Sequence, residues 1–148
     1  MTAPRFGIVF LPETLAGFGE LCAEAEERGF GWIGVADSQS VFRELYVGLT
    51  LAALHTRQAL VGPIVTNPRT RHLVVTASAI SSVDEVSGGR ARLGLGSGDS
   101  ALYTIGAPPA TLGGLEESVL ALRRLTAGET VEGGPTPWRV RRSAAHAR

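Results

Sequence analysis

An apolar run followed by a helical pattern occurs four times in this sequence, and this repetition is what most limits the fold. The first apolar run, Phe6 to Leu11, is short enough to be a strand buried on both faces. We expect Thr14 to cap the helix that follows and Gly29 to end it in a left-handed conformation. The inward positions of this helix are Leu15, Phe18, Cys22 and Ala25.

Three further units of the same kind follow. Their predicted strands are Trp32 to Ala36, Ala59 to Thr66 and Ala91 to Leu95. Their predicted helices run from about Arg43 to Thr56, from about His72 to Ser87 and from about Leu115 to Ala127. The residues expected to face the core from these helices are Leu45, Leu49, Ala52, Leu73, Ala77, Ile80, Leu115, Val119, Leu122 and Leu125. Strands that alternate with helices in this way predict an α/β fold with a parallel sheet and right-handed crossovers.

The repeat alone leaves two architectures open. Four βα units fit a small open doubly wound sheet, and they also fit half of an eight-unit TIM barrel. An open sheet would suggest a nucleotide-binding domain. The glycines from Gly94 onward do not form the G-x-G-x-x-G pattern of that class, since Asp99 and Ala101 occupy the positions required of its last glycine.

Composition excludes several classes of function. Fourteen acids balance fourteen bases, so we expect neither nucleic acid nor an anionic membrane as a partner, and a small molecule is the better expectation. No apolar stretch is long enough to span a bilayer, and the single Cys22 is expected to be a small buried hydrophobe. We therefore expect a cytoplasmic protein. The three histidines lack metal-ligand spacing, so no metal site is predicted.

The segments after the second, third and fourth strands carry unusual motifs. They read ADSQS, VTNPRTRH and GLGSGDS, and in parallel α/β folds the carboxyl ends of strands are where ligands bind. The third and fourth strands with their loops read VGPIVTNPRTRH and SGGRARLGLGSGD. With DSQS and RELYVGLTLAA, they resemble the bacterial luciferase-like superfamily, most closely its methylenetetrahydromethanopterin reductase-like branch. The resemblance runs from near Phe6 to about Glu132.

The resemblance implies that the four units form half of a TIM (β/α)8 barrel. It also implies an oxidoreductase that uses reduced flavin (FMN) or coenzyme F-420. The chemistry would be hydride transfer to a small organic substrate, or its monooxygenation. In such enzymes the third strand carries a bulge with a cis peptide bond not involving proline, and the matching bond here is Ile64-Val65.

The resemblance further implies which residues hold the ring. Asp37 matches a position near the reactive end of the ring, where a carboxylate would hydrogen-bond the ring or shuttle a proton. Ser38 follows it, where many relatives have histidine, so we do not expect histidine acid chemistry there. The residues expected to contact the cofactor are Asp37, Ser38, Ile64, Val65, Thr66, Asn67, Gly96, Ser97 and Gly98.

Each of these assignments has a structural alternative. Asp37 is equally suited to cap the second helix. Thr66 and Asn67 would also form a turn before Pro68. The glycines after the fourth strand would also serve close packing at a barrel mouth. We expect His72 to act structurally at the start of the third helix.

The end of the sequence differs from the rest. We expect residues 1–132 to form the half-barrel domain and residues 133–148 to be a linker-like, disordered, arginine-rich tail. A complete barrel needs about 250 residues and places its phosphate clamp after strands seven and eight, so weak cofactor binding is expected. The hypothesis at this point is a truncated or frame-shifted gene product that forms a homo-oligomer or pairs with a complementing half-barrel. The alternative is a catalytically inactive half-barrel or interaction partner.

Overall fold

Three parallel strands form the sheet, in the order β1-β2-β3. They are β1 (Phe6–Phe10), β2 (Phe30–Val35) and β3 (Leu60–Pro63) in a computed structural model that describes residues 6–133 and 137–140. Ile33, Val35 and Val61 are fully buried in the core between the sheet and the helices. The α/β class and the parallel pairing predicted from the repeat are therefore confirmed.

Five helices accompany the strands in the described residues. They are α1 (Phe18–Glu27), α2 (Leu45–His55), α3 (Leu73–Ser87), the single turn α4 (Ser100–Tyr103) and α5 (Leu112–Thr126). Among the residues that the structure describes, none of these helices has the length and hydropathy needed to cross a membrane.

The first helix begins later than its sequence predicts. Thr14 accepts a hydrogen bond from the backbone N–H of Ala16 in a turn, and α1 starts at Phe18 after Gly17, whose φ is 70°. The predicted cap at Thr14 is therefore wrong, because the left-handed Gly17 separates that turn from the helix. The predicted left-handed Gly29 is confirmed, with a φ of 93°.

Helix α2 packs as predicted, whereas α5 does so only in part. Leu45, Leu49 and Ala52 are completely buried. On α5, Leu122 and Leu125 are buried but Val119 is 40% exposed, so the inward placement of Val119 is wrong. The reason is that no described element covers that side of α5.

The predicted fourth strand is present only as two parallel bridges, Val61 to Ala91 and Thr66 to Leu95. We call residues 60–66 the third segment and residues 91–95 the fourth segment. Between the bridges the third segment advances five residues and the fourth advances four, so the third segment carries one extra residue. This bulge interrupts the pairing. Gly62 lies at the close approach, where an added Cβ would be 1.8 Å from the carbonyl oxygen of Arg92. The four-unit half-barrel accordingly stays a prediction.

Arg90 and Glu26 brace the ends of the strands opposite the bulge. The Arg90 guanidinium donates to the backbone oxygens of Ser87, Ala59, Ala53 and Thr56, and also to Thr56 Oγ1. The Glu26 carboxylate accepts three backbone N–H groups that precede β3. The donors are Arg57, Gln58 and Ala59.

Residues 137–140 pack against the fold, although they belong to the predicted tail. Trp138 exchanges two backbone hydrogen bonds with Val131, and its indole meets the ring of His72 edge to face at 4.4 Å between centroids. Val140 is buried. His72 also caps α3, since its Nδ1 accepts from the N–H of Val74, which confirms its structural role. Residues 134–136 and 141–148, the rest of the predicted tail after Gly133, lie outside the described residues.

Candidate functional site

The segments that follow β2, β3 and the fourth segment meet at one cavity of about 480 Å³. Its lining includes all nine residues expected to contact a cofactor: Asp37, Ser38, Ile64, Val65, Thr66, Asn67, Gly96, Ser97 and Gly98. Leu11, Ala36, Phe42, Asp99 and Ser100 complete the lining. The structure thus brings together residues that are up to 61 positions apart in the sequence.

Backbone pairing brings these segments to the same place. Ala36 N–H donates to Phe10 oxygen at 3.0 Å, and Ile64 N–H donates to Val35 oxygen at 3.0 Å. On the other side, Thr66 N–H donates to Gly94 oxygen. Because the strands are parallel, each segment leaves the sheet at the same edge, and the side chains that follow converge there.

The bulge in the third segment shapes the cavity wall. The Ile64-Val65 peptide bond is cis, which confirms the geometry that the family resemblance implies. The Ile64 side chain covers Gly34 of β2, where an added Cβ would lie 2.6 Å from Ile64 Cδ1. Gly34 therefore makes the room that allows Ile64 to lie flat against the sheet.

Asp37 is held by two strong hydrogen bonds on one oxygen. Its Oδ2 accepts from Thr66 Oγ1 and from Arg71 Nη1, both at 2.6 Å, and its side chain is only 2% exposed. It does not cap α2, because Glu44 does so by accepting from the N–H of Val47 at 2.9 Å. The capping alternative for Asp37 is therefore wrong.

Arg71 is the site residue that sequence reasoning missed. Its Nη1 binds Asp37 and its Nη2 binds Glu44 Oε1 at 2.9 Å, while the guanidinium lies 5.3 Å from the centre of the Tyr46 ring. Burial alone would lower the pKa of Arg71, but its hydrogen bonds and attraction to Asp37 and Glu44 outweigh this and raise it. Arg71 is therefore a permanent cation. Burial also raises the pKa of the Tyr46 hydroxyl to about 12, so that group is neutral.

Polar contacts join the loop after β2 to α4. Ser38 Oγ donates to Ser100 Oγ at 2.9 Å, and Gln39 Nε2 donates to Ala101 oxygen at 2.7 Å. Asp99 caps α4 by accepting from the N–H of Ser100. These contacts fix the two loops relative to each other on one side of the cavity.

Asn67 forms a turn, as predicted from its position before Pro68. Its Oδ1 accepts from the N–H groups of Arg69 and Thr70 at 3.0 and 2.9 Å, closing the turn around Pro68. Within the described residues, its amide nitrogen donates no hydrogen bond. Asn67 therefore supports the loop and also lines the cavity.

Close packing accounts for the glycines in and just after the fourth segment. An added Cβ would lie 2.5 Å from Pro63 oxygen at Gly94 and 2.9 Å from Val65 Cγ2 at Gly96. Gly98 has a φ of 98°, and its Cβ would meet Leu102. Close packing therefore explains why these three positions carry no side chain. Gly96 and Gly98 also expose their backbone to the cavity.

The charges around the cavity are unevenly distributed. Asp37 and Asp99 line it, and no cationic side chain does so among the residues that the structure describes. Arg71 approaches Asp37 without lining the cavity. The cavity therefore suits an uncharged group with hydrogen-bond donors better than a phosphate.

Comparison with known proteins gives a family match along the chain. The family model described as luciferase-like monooxygenase matches residues 3–145. The 5,10-methylenetetrahydromethanopterin reductase of Methanolobus tindarius is 40% identical over 134 residues, covering 85% of this chain and 39% of that protein. The same reductase of Archaeoglobus fulgidus is 39% identical over 131 residues, covering 86% and 39%. The chain thus spans about two-fifths of the length of these relatives.

Solved structures share the fold. The coenzyme F-420 dependent tetrahydromethanopterin reductase of Methanopyrus kandleri superimposes with a TM-score of 0.79 at 30% identity, covering 94% of this chain and 46% of that chain. The oxygenating constituent of 3,6-diketocamphane monooxygenase of Pseudomonas putida, solved in complex with FMN, gives a TM-score of 0.74 at 18% identity. That superposition covers 99% of this chain and 46% of that chain, and it shows likeness of fold alone.

Proposed function

Because this chain belongs to the luciferase-like monooxygenase family, we propose that it carries the ring-binding part of a flavin- or deazaflavin-dependent oxidoreductase. The reaction would be hydride transfer to a small organic substrate, or its monooxygenation, with reduced coenzyme F-420 or FMN. The observation that carries the proposal is the single cavity lined by all nine expected residues from three separate loops. Similarity to F-420 dependent reductases supports the deazaflavin, and likeness of fold to an FMN complex keeps flavin as a candidate.

The cavity fits the ring part of such a cofactor. Its volume of about 480 Å³ lies within the range of small-molecule sites, which is about 300 to 1,000 Å³. The side chains of Ile64 and Val65 would form an apolar support, while the backbone at Gly96 and Gly98 would allow close approach of a flat group. When bound, the cofactor supplies the hydride or activates oxygen, and the protein supplies orientation and shields the ring from water.

Asp37 would be the catalytic residue of this site. Its carboxylate lines the cavity and is held in place by Thr66 and Arg71. A fixed negative charge beside the ring would stabilise a donor N–H group or a positive charge that develops during the reaction. Asn67 and Ser97 would offer further hydrogen bonds to the ring or the substrate.

We propose the half-barrel as the architecture around this site. Residues 1–132 would form the half-barrel domain, and the segment from residue 133 would be a tail whose Trp138 and Val140 pack against it. The segment Ala91 to Leu95 would act as the fourth strand, with α5 as the helix of the fourth unit. The two parallel bridges to the third segment support this arrangement.

The charge distribution allows a sharp test of ring binding. Riboflavin and FMN share one ring system and differ by a phosphate, which has no cationic partner among the described lining residues. Titration of the purified chain, followed by quenching of flavin fluorescence, is expected to give dissociation constants within about threefold of each other. Coenzyme F-420 is titrated in parallel to compare the deazaflavin.

Two control measurements accompany the titration. Asp37→Asn is expected to weaken riboflavin binding by about tenfold, since a hydrogen bond to a charged acceptor is worth about 1.5 kcal/mol or more. Arg69→Met, an exposed change in the neighbouring loop, is expected to leave binding unchanged. Lack of saturable binding by any of the three ligands would refute the proposed function.

A non-catalytic partner that pairs with another chain is a second candidate. The observation that favours it is a groove of about 480 Å³ between α3, α5 and the fourth segment. Its lining includes the apolar Ile80, Val119 and Leu122 and also the charged Asp84, Arg92 and Arg123. Beside it, the backbone groups of Leu93 and Leu95 make no hydrogen bond within the described residues. An extended strand from a partner would satisfy them. Sedimentation velocity over a hundredfold range of concentration tests this, because a chain that stays monomeric at all concentrations rules out self-pairing.

A further inference from the structure

The carboxylate of Asp37 is bonded asymmetrically. Oδ2 receives both short hydrogen bonds, from Thr66 and from Arg71, whereas no described residue donates to Oδ1. Because Asp37 lines the cavity, Oδ1 remains able to accept a hydrogen bond from a molecule that enters it. Hydrogen bonds to a carboxylate are stronger than those between neutral groups, so a donor group on a ligand gains from meeting Oδ1.

Arg71 holds this arrangement from outside the cavity. It does not line the cavity, and its second nitrogen is bound by Glu44, the residue that caps α2. The guanidinium therefore joins the end of β2, the loop before α3 and the start of α2. A lysine has a single nitrogen and cannot bond both carboxylates through two planar N–H groups in this way.

We propose that Arg71 is a positioning residue that holds Asp37 so that Oδ1 accepts a hydrogen bond from an N–H or O–H group of the bound ring or substrate. The net charge around Asp37 determines which groups of a ligand are favoured next to Oδ1. The cluster of Asp37, Arg71 and Glu44 has a net charge of −1 with all three ionised, so it favours donors and repels carboxylate or carbonyl oxygens at that point. The identity of the ligand rests on the proposed function, whereas the positioning of Asp37 does not.

A double-mutant cycle with riboflavin as the probe separates positioning from general structural support. Arg71→Met and Asp37→Asn are each expected to weaken binding by about tenfold. If Arg71 acts only through Asp37, the double variant binds about tenfold more weakly than the unmodified chain, and not a hundredfold. Arg69→Met is the matched control, because Arg69 is exposed and its side chain makes no hydrogen bond within the described residues. Additive losses, or an Arg71→Met effect no larger than that of Arg69→Met, would overturn the proposal.

A ligand-free measurement keeps this test independent of the proposed function. The carbon-13 NMR signal of the Asp37 carboxyl group is expected to move in Arg71→Met and to stay in place in Arg69→Met. If the signal moves but riboflavin does not bind, the positioning holds and the proposed function fails. If the signal does not move, the positioning fails whatever the binding result.

Glu44→Gln provides a second variant in case Arg71→Met does not fold. Glutamine keeps an oxygen that can cap α2 at Val47 but loses the charge that holds Arg71. We expect a smaller displacement of the Asp37 carboxyl signal and a loss of riboflavin affinity of about threefold. An unchanged signal in Glu44→Gln would contradict the role given to Glu44.

Discussion

Arg90 is predicted to be a major contributor to the stability of the fold. Its guanidinium makes five hydrogen bonds that join the end of α2, the start of β3 and the end of α3. Four of the acceptors are backbone carbonyls, and two of these, on Ala53 and Thr56, lie at the carboxyl end of α2, where a cation is favoured. Arg90→Met removes the donors and keeps most of the aliphatic stem.

The size of the effect follows from these contacts. Five hydrogen bonds at about 1 kcal/mol each would sum to about 5 kcal/mol. Because Arg90 is only partly buried, water replaces some of the lost donors, so we expect a loss of about 3 kcal/mol in the free energy of unfolding. For a chain of this size, that lowers the melting temperature by about 6 to 10 °C.

The assay is urea unfolding followed by tryptophan fluorescence. Arg28→Met is the matched control, since Arg28 makes an exposed ion pair with Glu24 at 2.6 Å and its side chain is 70% exposed. That pair is expected to contribute about 0.5 kcal/mol or less. If Arg90→Met destabilises the chain no more than Arg28→Met does, the bracing role inferred for Arg90 is refuted.

Three further predictions concern other parts of the fold. Burial raises the pKa of Glu26, but three backbone N–H groups and the charge of Arg90 outweigh this and lower it below 4.5. Its stabilising contribution is therefore complete above pH 4.5 and is lost as pH falls through the lowered pKa, so the unfolding free energies of Glu26→Gln and the unmodified chain should converge in acid. Gly62→Ala places a Cβ 1.8 Å from a backbone oxygen and is expected to cost about 3 kcal/mol in urea unfolding. Gly113→Ala, with open space around it in α5, should instead stabilise by about 0.5 kcal/mol, and equal effects of the two changes would contradict the packing described. Burial raises the pKa of Cys22 to about 12, so its reaction with a disulfide reagent at pH 8 should require unfolding, and rapid labelling of the native chain would count against its burial.

Much of the fold was predictable because the spacing of apolar residues along the sequence indicates which side chains are buried. The buried face of α2 follows from Leu45, Leu49 and Ala52 at helical spacing, and the structure buries all three. Local turns were less predictable. The cap expected at Thr14 is displaced because Gly17 adopts a left-handed conformation, which the apolar pattern does not report. The short helix α4 lacks the length for any periodic signal.

The residues of the candidate site could be predicted from the sequence, but the hydrogen bonds between them could not. The strand ends indicate which loops meet, so Asp37, Asn67 and Ser97 could be identified together. The role of Arg71 depends on a contact with Asp37, 34 positions earlier in the sequence, and on the shape of the loop after the bulge. A cation in the loop opposite a carboxylate was the available signal, but spacing alone does not show which arginine of that loop turns inward.

The central claim is that three loops form one cavity that receives a planar redox ring, and NMR mapping tests it most directly. Amide signals of the isotope-labelled chain are followed while riboflavin is added. The account predicts that signals from all three loops shift together, at Asp37 and Ser38, at Thr66 and Asn67, and at Ser97 and Gly98. Shifts confined to one loop, or centred on the groove at Val119 and Leu122, would contradict it.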